Sequence, residues 1–166
     1  LEPDRRTLRI RAASGYQSPL LARGKSYDLM SAAPKIGVTA AIARDRQVVR
    51  ANSLAELRAH PQHLGANNPG QNDREPNAFL GIPLLVEREG GSKEVAGVLK
   101  VEDILPGTGH PGAVFTDEDV VLVQMMGSAI TAVIENTRLA DERLLNMNAN
   151  LERLTVDMTI GLEQNA

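Results

Sequence analysis

The last 50 residues of the chain contain no proline, and residues 128–160 contain neither proline nor glycine, a pattern that predicts one long C-terminal helix. Thr116 followed by Asp117, Glu118 and Asp119 supplies its start: a hydroxyl to cap the first free amides, then acids near the positive end of the dipole. Residues 120–134 are apolar at 11 of 15 positions, nearly all round, and are expected to be buried on more than one side. Beyond Arg138 the pattern narrows to a single seam that fits a heptad frame without a stutter. Its a positions are Val123, Ile130, Thr137, Leu144, Leu151 and Met158, and its d positions are Met126, Val133, Ala140, Met147, Leu154 and Gly161. A helix over 117–163 is roughly 70 Å long, beyond the diameter of a domain this size, so a partner must cover its seam. The helix either folds back on its own domain or pairs with a second copy. The lack of a breaker favours a parallel homodimer through Val123, Met126, Ile130, Val133, Leu144, Met147, Leu151, Leu154 and Met158.

The whole chain is 166 residues, enough for one domain with a core of its own. Hydrophobic residues make up 42% and charged residues 23%, which excludes a disordered or collagen-like chain. Apolar runs fall short of the roughly 20 residues of a spanning helix, and the N-terminus has no apolar signal region, so a cytoplasmic protein without a membrane partner is expected. Cysteine is absent, which removes disulfides, thiolate metal sites, thiol nucleophiles and thioether attachment of a chromophore. Four aromatic residues, Tyr16, Tyr27, Phe79 and Phe115, and a net charge of −3 argue against nucleic-acid binding. The charge is uneven, +6 over residues 1–60 and −9 over 61–166, although folding can interleave the two parts.

Along the chain, TLRIRAA (7–13) alternates with Leu8, Ile10 and Ala12 on one side, the pattern of a half-buried strand. Residues 24–36 carry little signal. A short helix is expected over 37–43, ending at Arg44-Asp45, and a short strand at Val48-Val49. Ser53 and Glu56 have the spacing of a capping box, opening a helix that Pro61 closes. Residues 61–77 are rich in Pro, Gly, Asn and Asp, and a connection of that length reads as a lid, a binding loop or a disordered segment. FLGIPLLV (79–86) is the near-continuous apolar run of a strand covered on both faces, with a bulge or unpaired edge expected at Pro83. Gly90-Gly91 turns the chain into a returning strand, VAGVLKVE (95–102). Val95, Gly97, Leu99 and Val101 are expected on one face, with Ala96, Val98, Lys100 and Glu102 on the other.

These elements predict an α+β fold, an antiparallel sheet with flanking helices. The segments LRIRAASGY, IGVTAAIARDRQVVRANS, NAFLGIPLL, VAGVLKVED, FTDEDVVLV and AVIENTRL together resemble, in order, a GAF domain over residues 1–139. The resemblance implies a PAS-like sheet, with residues 140–166 as a C-terminal signalling helix. It also implies a helix and a strand ahead of the hairpin that LEPDRRT forms, so the first strand of the sheet is expected to be missing from this sequence. GAF domains hold varied small ligands between sheet and helices and act as sensors in signal transduction. A covalent bilin is excluded by the absence of cysteine. The cyclic-nucleotide branch carries an NKFDE pattern, for which this chain has Asp103, Ile104, Phe115, Asp119 and Val120, matching only the phenylalanine and one acid.

Candidate ligand-binding residues are Arg50 and Asn52 after the short strand, Phe79 at the loop exit and Lys100 on the returning strand. Arg50 and Lys100 together would meet an anionic ligand. In the alternative, each pairs with a neighbouring acid, Arg50 with Glu56. His60 and His63 are three apart but flanked by proline, and no third ligand accompanies them, so no metal is expected. His110 and the arginines Arg5, Arg6, Arg9 and Arg11 read as solvated. No nucleophile and base stand in a supporting pattern, which predicts a chain without enzymatic activity. The expected function is a small-molecule-sensing regulatory domain whose dimeric helix relays ligand state to an output domain such as a kinase, cyclase or transcription regulator. The alternative is a ligand-free dimerisation scaffold.

Overall fold

A computed structural model describes residues 1–2, 4–14, 26–64, 76–88, 90–103 and 114–163, with side chains through Thr155. In chain order the elements are β1 (Thr7–Arg9), β2 (Ser26–Asp28), α1 (Val38–Asp45), β3 (Val49–Ala51), α2 (Leu54–Ala59), β4 (Phe79–Glu87), β5 (Lys93–Glu102) and α3 (Asp117–Glu163). The fold is α+β with antiparallel sheets. Residues 1–131 make one compact unit, and residues 132–166 make a second.

The N-terminal hairpin is built by Asp4, whose carboxylate accepts from the Arg6 and Thr7 amides at 2.9 Å and from the Thr7 hydroxyl at 2.7 Å. These bonds hold the Asp4 carboxyl below the usual carboxylate range, the Thr7 hydroxyl contributing most. β1 then pairs antiparallel with β2 in the register Leu8↔Tyr27. β1 is shorter than the alternation in 7–13 predicts, and Ala12 is exposed. β2 lies where the sequence is uninformative because its residues, Ser-Tyr-Asp, carry no apolar period. Its pairing with β1 defines it, extended by the Leu29 amide donating to Arg6 O at 2.8 Å.

β3, β4 and β5 form the main sheet with β4 in the middle. Directly paired residues share a face, so two rows can be read from the register. Val49, Gly81 and Lys100 form one row and Ala51, Phe79 and Glu102 the next, both on the face covered by α1 and α2. Their apolar members join Val38, Ile42 and Leu57 in one core cluster, with Val98 against it. Arg50, Leu80 and Val101 lie on the opposite face. There Leu80 and Ile82 pack with Ala78, Phe115 and Val123, the last brought in by the first turns of α3.

Pro83 pairs in register with Val98, and the irregularity falls one step later, where Leu84 faces Gly97 and Leu85 faces Val95. Ala96 is therefore the extra residue of a bulge on β5. This corrects the expected faces of β5: the bulge turns Val95 to the α1 side, where it packs with Val98 against Leu8, Leu29 and Ile36. Leu99 and Val101 stay with α3's side. The β4–β5 turn takes its shape from Gly90 and Gly91, at φ 86° and 76°, a left-handed pair that side-chain-bearing residues rarely adopt.

Within residues 117–131, α3 buries one row, Val123, Gly127 and Thr131, with Val120 half-buried. The expectation of burial on more than one side of 120–134 is not met within the chain: Val121, Leu122, Met125, Met126, Ile130, Val133 and Ile134 are 37–66% exposed. α3 is also long and apolar enough, by length and composition, to cross a membrane. The sequence expectation of no such stretch is corrected here, because Gln124, Ser128 and Thr131 interrupt the run without adding charge.

Gly81 and Gly127 set how closely α1 and α3 approach the sheet. A Cβ on Gly81 would overlap Ile42 Cδ1, and one on Gly127 would come within 2.7 Å of Ile82 Cδ1. Ile42 and Ile82 are among the most deeply buried side chains, so neither can swing clear. Gly81→Ala is expected to lower the unfolding free energy by about 1–3 kcal/mol. Urea denaturation monitored by circular dichroism measures it, and an unchanged midpoint would show that α1 is not held this tightly.

Candidate functional site

The four candidate ligand residues fall into two pairs separated by the sheet. Phe79 and Lys100 are on the α1–α2 face. Phe79 is 3% exposed and packed among Val38, Ile42, Ala51 and Leu57. Lys100 lies over Gly81, and its Nζ is 2.8 Å from Glu102 Oε1, with both side chains less than one-fifth exposed. The acid partner expected for Lys100 is thus present, but on a largely covered face.

Arg50 and Asn52 turn to the other side, towards the start of α3. Arg50 Nη1 donates to Asp117 Oδ1 at 2.5 Å and to Phe115 O at 3.5 Å, so its partner is Asp117 and not Glu56. The Asn52 side chain grips one backbone residue twice: Nδ2 donates to Phe115 O at 3.1 Å, and Oδ1 accepts from the Phe115 amide at 2.7 Å. The alternation of β3 and β5 puts Arg50 and Lys100 on opposite faces, so of the two readings the sequence leaves open, a shared anion is ruled out and pairing of each cation with an acid is found.

Glu56 is occupied in a capping box that differs from the expected one by a residue. Ser53 Oγ accepts from the Glu56 amide at 3.1 Å, whereas the Glu56 carboxylate accepts from the Asn52 amide at 2.8 Å, one position ahead of the cap. At α3, Thr116 and Asp119 make the reciprocal pair. The Asp119 amide donates to Thr116 Oγ1 at 3.2 Å, and Asp119 Oδ2 accepts from the Thr116 amide at 2.8 Å. Two positions of the NKFDE comparison thus have local structural roles, Asp119 as a cap and Phe115 in the core. Asp103, a third, sits at φ 52° and ties the end of β5 to the start of β4 by accepting from the Asn77 and Ala78 amides at 2.7 and 3.1 Å. The tolerance of aspartate for left-handed backbone was the one sequence signal for this role. Ile104 lies outside the described residues, as do His110 and residues 65–75 of the expected lid.

Most of the N-terminal arginines are paired. Arg5 pairs with Glu94, Arg11 with Glu2 at 2.8 Å and Arg9 with Glu2 at 3.5 Å, while Arg88 reaches Glu94 at 2.7 Å. Hydrogen bonds from Arg5 and then Arg88 hold the Glu94 carboxyl down at about 2.

The seam residues on α3 divide as well. Val123 belongs to the core, so it is not available to a partner helix as expected. Met126, Ile130, Val133, Leu144, Met147, Leu151 and Leu154 are exposed, and the Met158 side chain lies outside the described residues. In the second unit Arg138 pairs with Glu135 at 2.6 Å and with Glu142, bracing the helix surface at i+3 and i+4 spacing.

His60 and His63 lie in the turn that ends α2. The His63 amide donates to His60 O at 2.9 Å, and His60 Nδ1 accepts from the Gln62 amide at 3.1 Å. Gln62 Oε1 in turn accepts from the Ile36 amide at 3.0 Å, tying this turn to the approach of α1. Among the described residues no group of three His, Asp or Glu side chains is placed to hold a metal ion. Burial lowers the His60 pKa below its usual 6.5, overriding the attraction of Asp45. A histidine lowered in the folded state contributes stability that is present above its unfolded value and lost as the pH falls through the folded one. The His60 ring is expected to titrate below 6.5 by NMR, with exchange of the Gln62 amide speeding up as it protonates. A midpoint at or above 6.5 would contradict the neutral acceptor role.

Comparison with known proteins bears on the whole arrangement. No curated protein and no solved structure matches the chain at a significant level. The family model of the GAF domain matches residues 4–134, from the N-terminal hairpin through the packed turns of α3. The order of elements and the extent of that match agree, and the chain belongs to the GAF domain family, whose members are regulatory and sensory modules of signalling proteins.

Proposed function

We propose that this GAF domain senses a small molecule within a larger cytoplasmic signalling protein and passes its occupancy through α3, paired in parallel with the α3 of a second copy, to an output domain. The observation that carries the reading is the exposed apolar row on α3. Met126, Val133, Leu144, Met147, Leu151 and Leu154 are each more than half exposed in the single chain. A second copy supplies an identical row at the same spacing, so one seam covers the other. On this reading the ligand would bind on the α1–α2 face, with Phe79 and Lys100 as its nearest candidates. Two arrangements of the helix pair that bind the ligand unequally would be shifted in population by it. The reading assigns the chain no catalysis, metal, nucleic acid or membrane. A spanning role for α3 is disfavoured because Val123, Gly127 and Thr131 are buried against the domain and five charged residues follow between 135 and 143.

A second reading, a ligand-free dimerisation scaffold, is favoured by the filling of the same face. Ile42 at 1% and Phe79 at 3% exposure occupy the space over Gly81. Native mass spectrometry of the purified chain separates the two. A dimer with added mass supports the sensor, and a dimer at its bare mass supports the scaffold. Leu144→Gln combined with Leu151→Gln is expected to raise the dimer dissociation constant by about a hundredfold or more. A natural chain that is monomeric, or a double variant that dimerises unchanged, would overturn the pairing through α3.

A further inference from the structure

Residues 50–56 hold two helix starts at once. The Asn52 amide donates to Glu56 Oε2 and Ser53 Oγ caps the Glu56 amide, so the first turn of α2 closes around the backbone of Asn52. The Asn52 side chain runs the other way, with its donor and its acceptor both spent on Phe115. Phe115 is followed at once by the Thr116–Asp119 box that starts α3, and Arg50 adds a bond to Asp117. An amide side chain alone among the neutral ones offers a separate donor and acceptor at this spacing.

Among the described residues, the core clusters do not join the two helices. Leu57 of α2 packs with Val38, Ile42, Ala51 and Phe79 on one face of the sheet. Phe115 and Val123 pack with Ala78, Leu80 and Ile82 on the other. The sheet stands between these clusters, while β3 is its edge strand among the described residues, and Asn52 is the residue directly after β3. The hydrogen bonds of Asn52 therefore pass around the sheet's edge where packing cannot pass through it.

We infer that Asn52 is a positioning residue that makes the first turns of α2 and α3 one cooperative unit. Fraying or displacement of α2 shifts the Asn52 backbone, and the shift either breaks its two bonds to Phe115 or carries Phe115 with it. Loosening of α3's first turn acts on α2 by the same route in reverse, since coupling between two sites is mutual. This gives the proposed relay a path, yet it is a property of the unliganded chain, so its failure and the failure of ligand sensing are separate results.

Hydrogen exchange on the full chain tests it. Ser53→Ala removes the cap of α2 without touching Phe115. It is expected to speed exchange in Leu54–Ala59 and also, by about threefold or more, at amides 117–120 of α3, leaving the paired amides of β4 and β5 unchanged. With Asn52→Ala added, Ser53→Ala should still loosen α2 and no longer affect α3. Thr116→Ala should loosen α2 only while Asn52 is present. A purely local role for Asn52 would loosen both starts in Asn52→Ala but leave these cross-effects intact. Asn52→Asp keeps the acceptor and loses the donor, so it serves if the alanine variant does not fold, and most of the cross-effect should vanish in it. The inference is overturned if Ser53→Ala leaves amides 117–120 unchanged in the natural chain, or if the cross-effect survives undiminished in either Asn52 variant.

Discussion

The burial of β4 on both faces is the constraint from which the rest of the domain follows. Leu80 and Ile82 are covered from one side and Phe79 and Gly81 from the other, so successive residues over 79–82 face two different cores. Two layers of helix can approach one thin sheet only where side chains leave room. Gly81 gives that room to Ile42 of α1, and Gly127 gives it to Ile82 beneath α3. Both glycines have ordinary backbone, so their role is the volume they leave free, unlike Gly90 and Gly91, whose role is backbone conformation. Close packing at these points also means that movement in one layer is resisted by the strand itself.

The same alternation decides what could be read from sequence. The run 79–86 was legible as a doubly covered strand because apolar residues on both faces leave no polar period, and the two capping hydroxyls, Ser53 and Thr116, were legible from local spacing. What failed were inferences that needed the pairing register. Val95 was placed on the wrong face because one bulged residue, Ala96, inverts the side of all that precedes it. A shared site for Arg50 and Lys100 is compatible with the sequence alone, yet their cross-strand partners, Leu80 and Gly81, are adjacent and so face opposite ways. β2 was missed altogether, since Ser26, Tyr27 and Asp28 are strand residues by virtue of β1 alone. In the candidate site, residue types were legible and their partners were not: Asn52 was a plausible ligand contact until Phe115, 63 positions away, took both ends of its amide.

The C-terminal helix shows a conflict between two periods. A repeat of seven residues drifts by about 20° per heptad on a straight α-helix, so a heptad frame that starts on one face ends on another. Val123 and Ile130 share the a position one heptad apart, yet Val123 is in the core of the domain and Ile130 is 37% exposed. The row that packs on the sheet, Val123, Gly127 and Thr131, instead steps by four, as expected of a helix resting along a sheet. Residues 120–134 are apolar nearly all round because both rows are drawn from them. The exposed one, Leu122, Met126, Ile130 and Val133, is what a partner would have to cover.

Which row faces the sheet is decided at the start of the helix. A helix is rigid along its length but free to rotate about its axis until something fixes the angle, and each residue of displacement at the start turns every later side chain by about 100°. Three contacts fix it here: Thr116 boxed with Asp119, Phe115 held at both ends of its peptide by Asn52, and Asp117 held by Arg50. Gly127, three turns on, faces Ile82 more closely than a residue with a Cβ could. Arg50 and Asp117 also explain why the uneven charge of the sequence leaves no simple basic half, since cations of the first 60 residues are matched to acids of the later part at this junction and again at Arg5 and Glu94. The exposed position of Met126 on α3 is thus a consequence of bonds made by residues 50 and 52, more than 60 positions earlier in the chain.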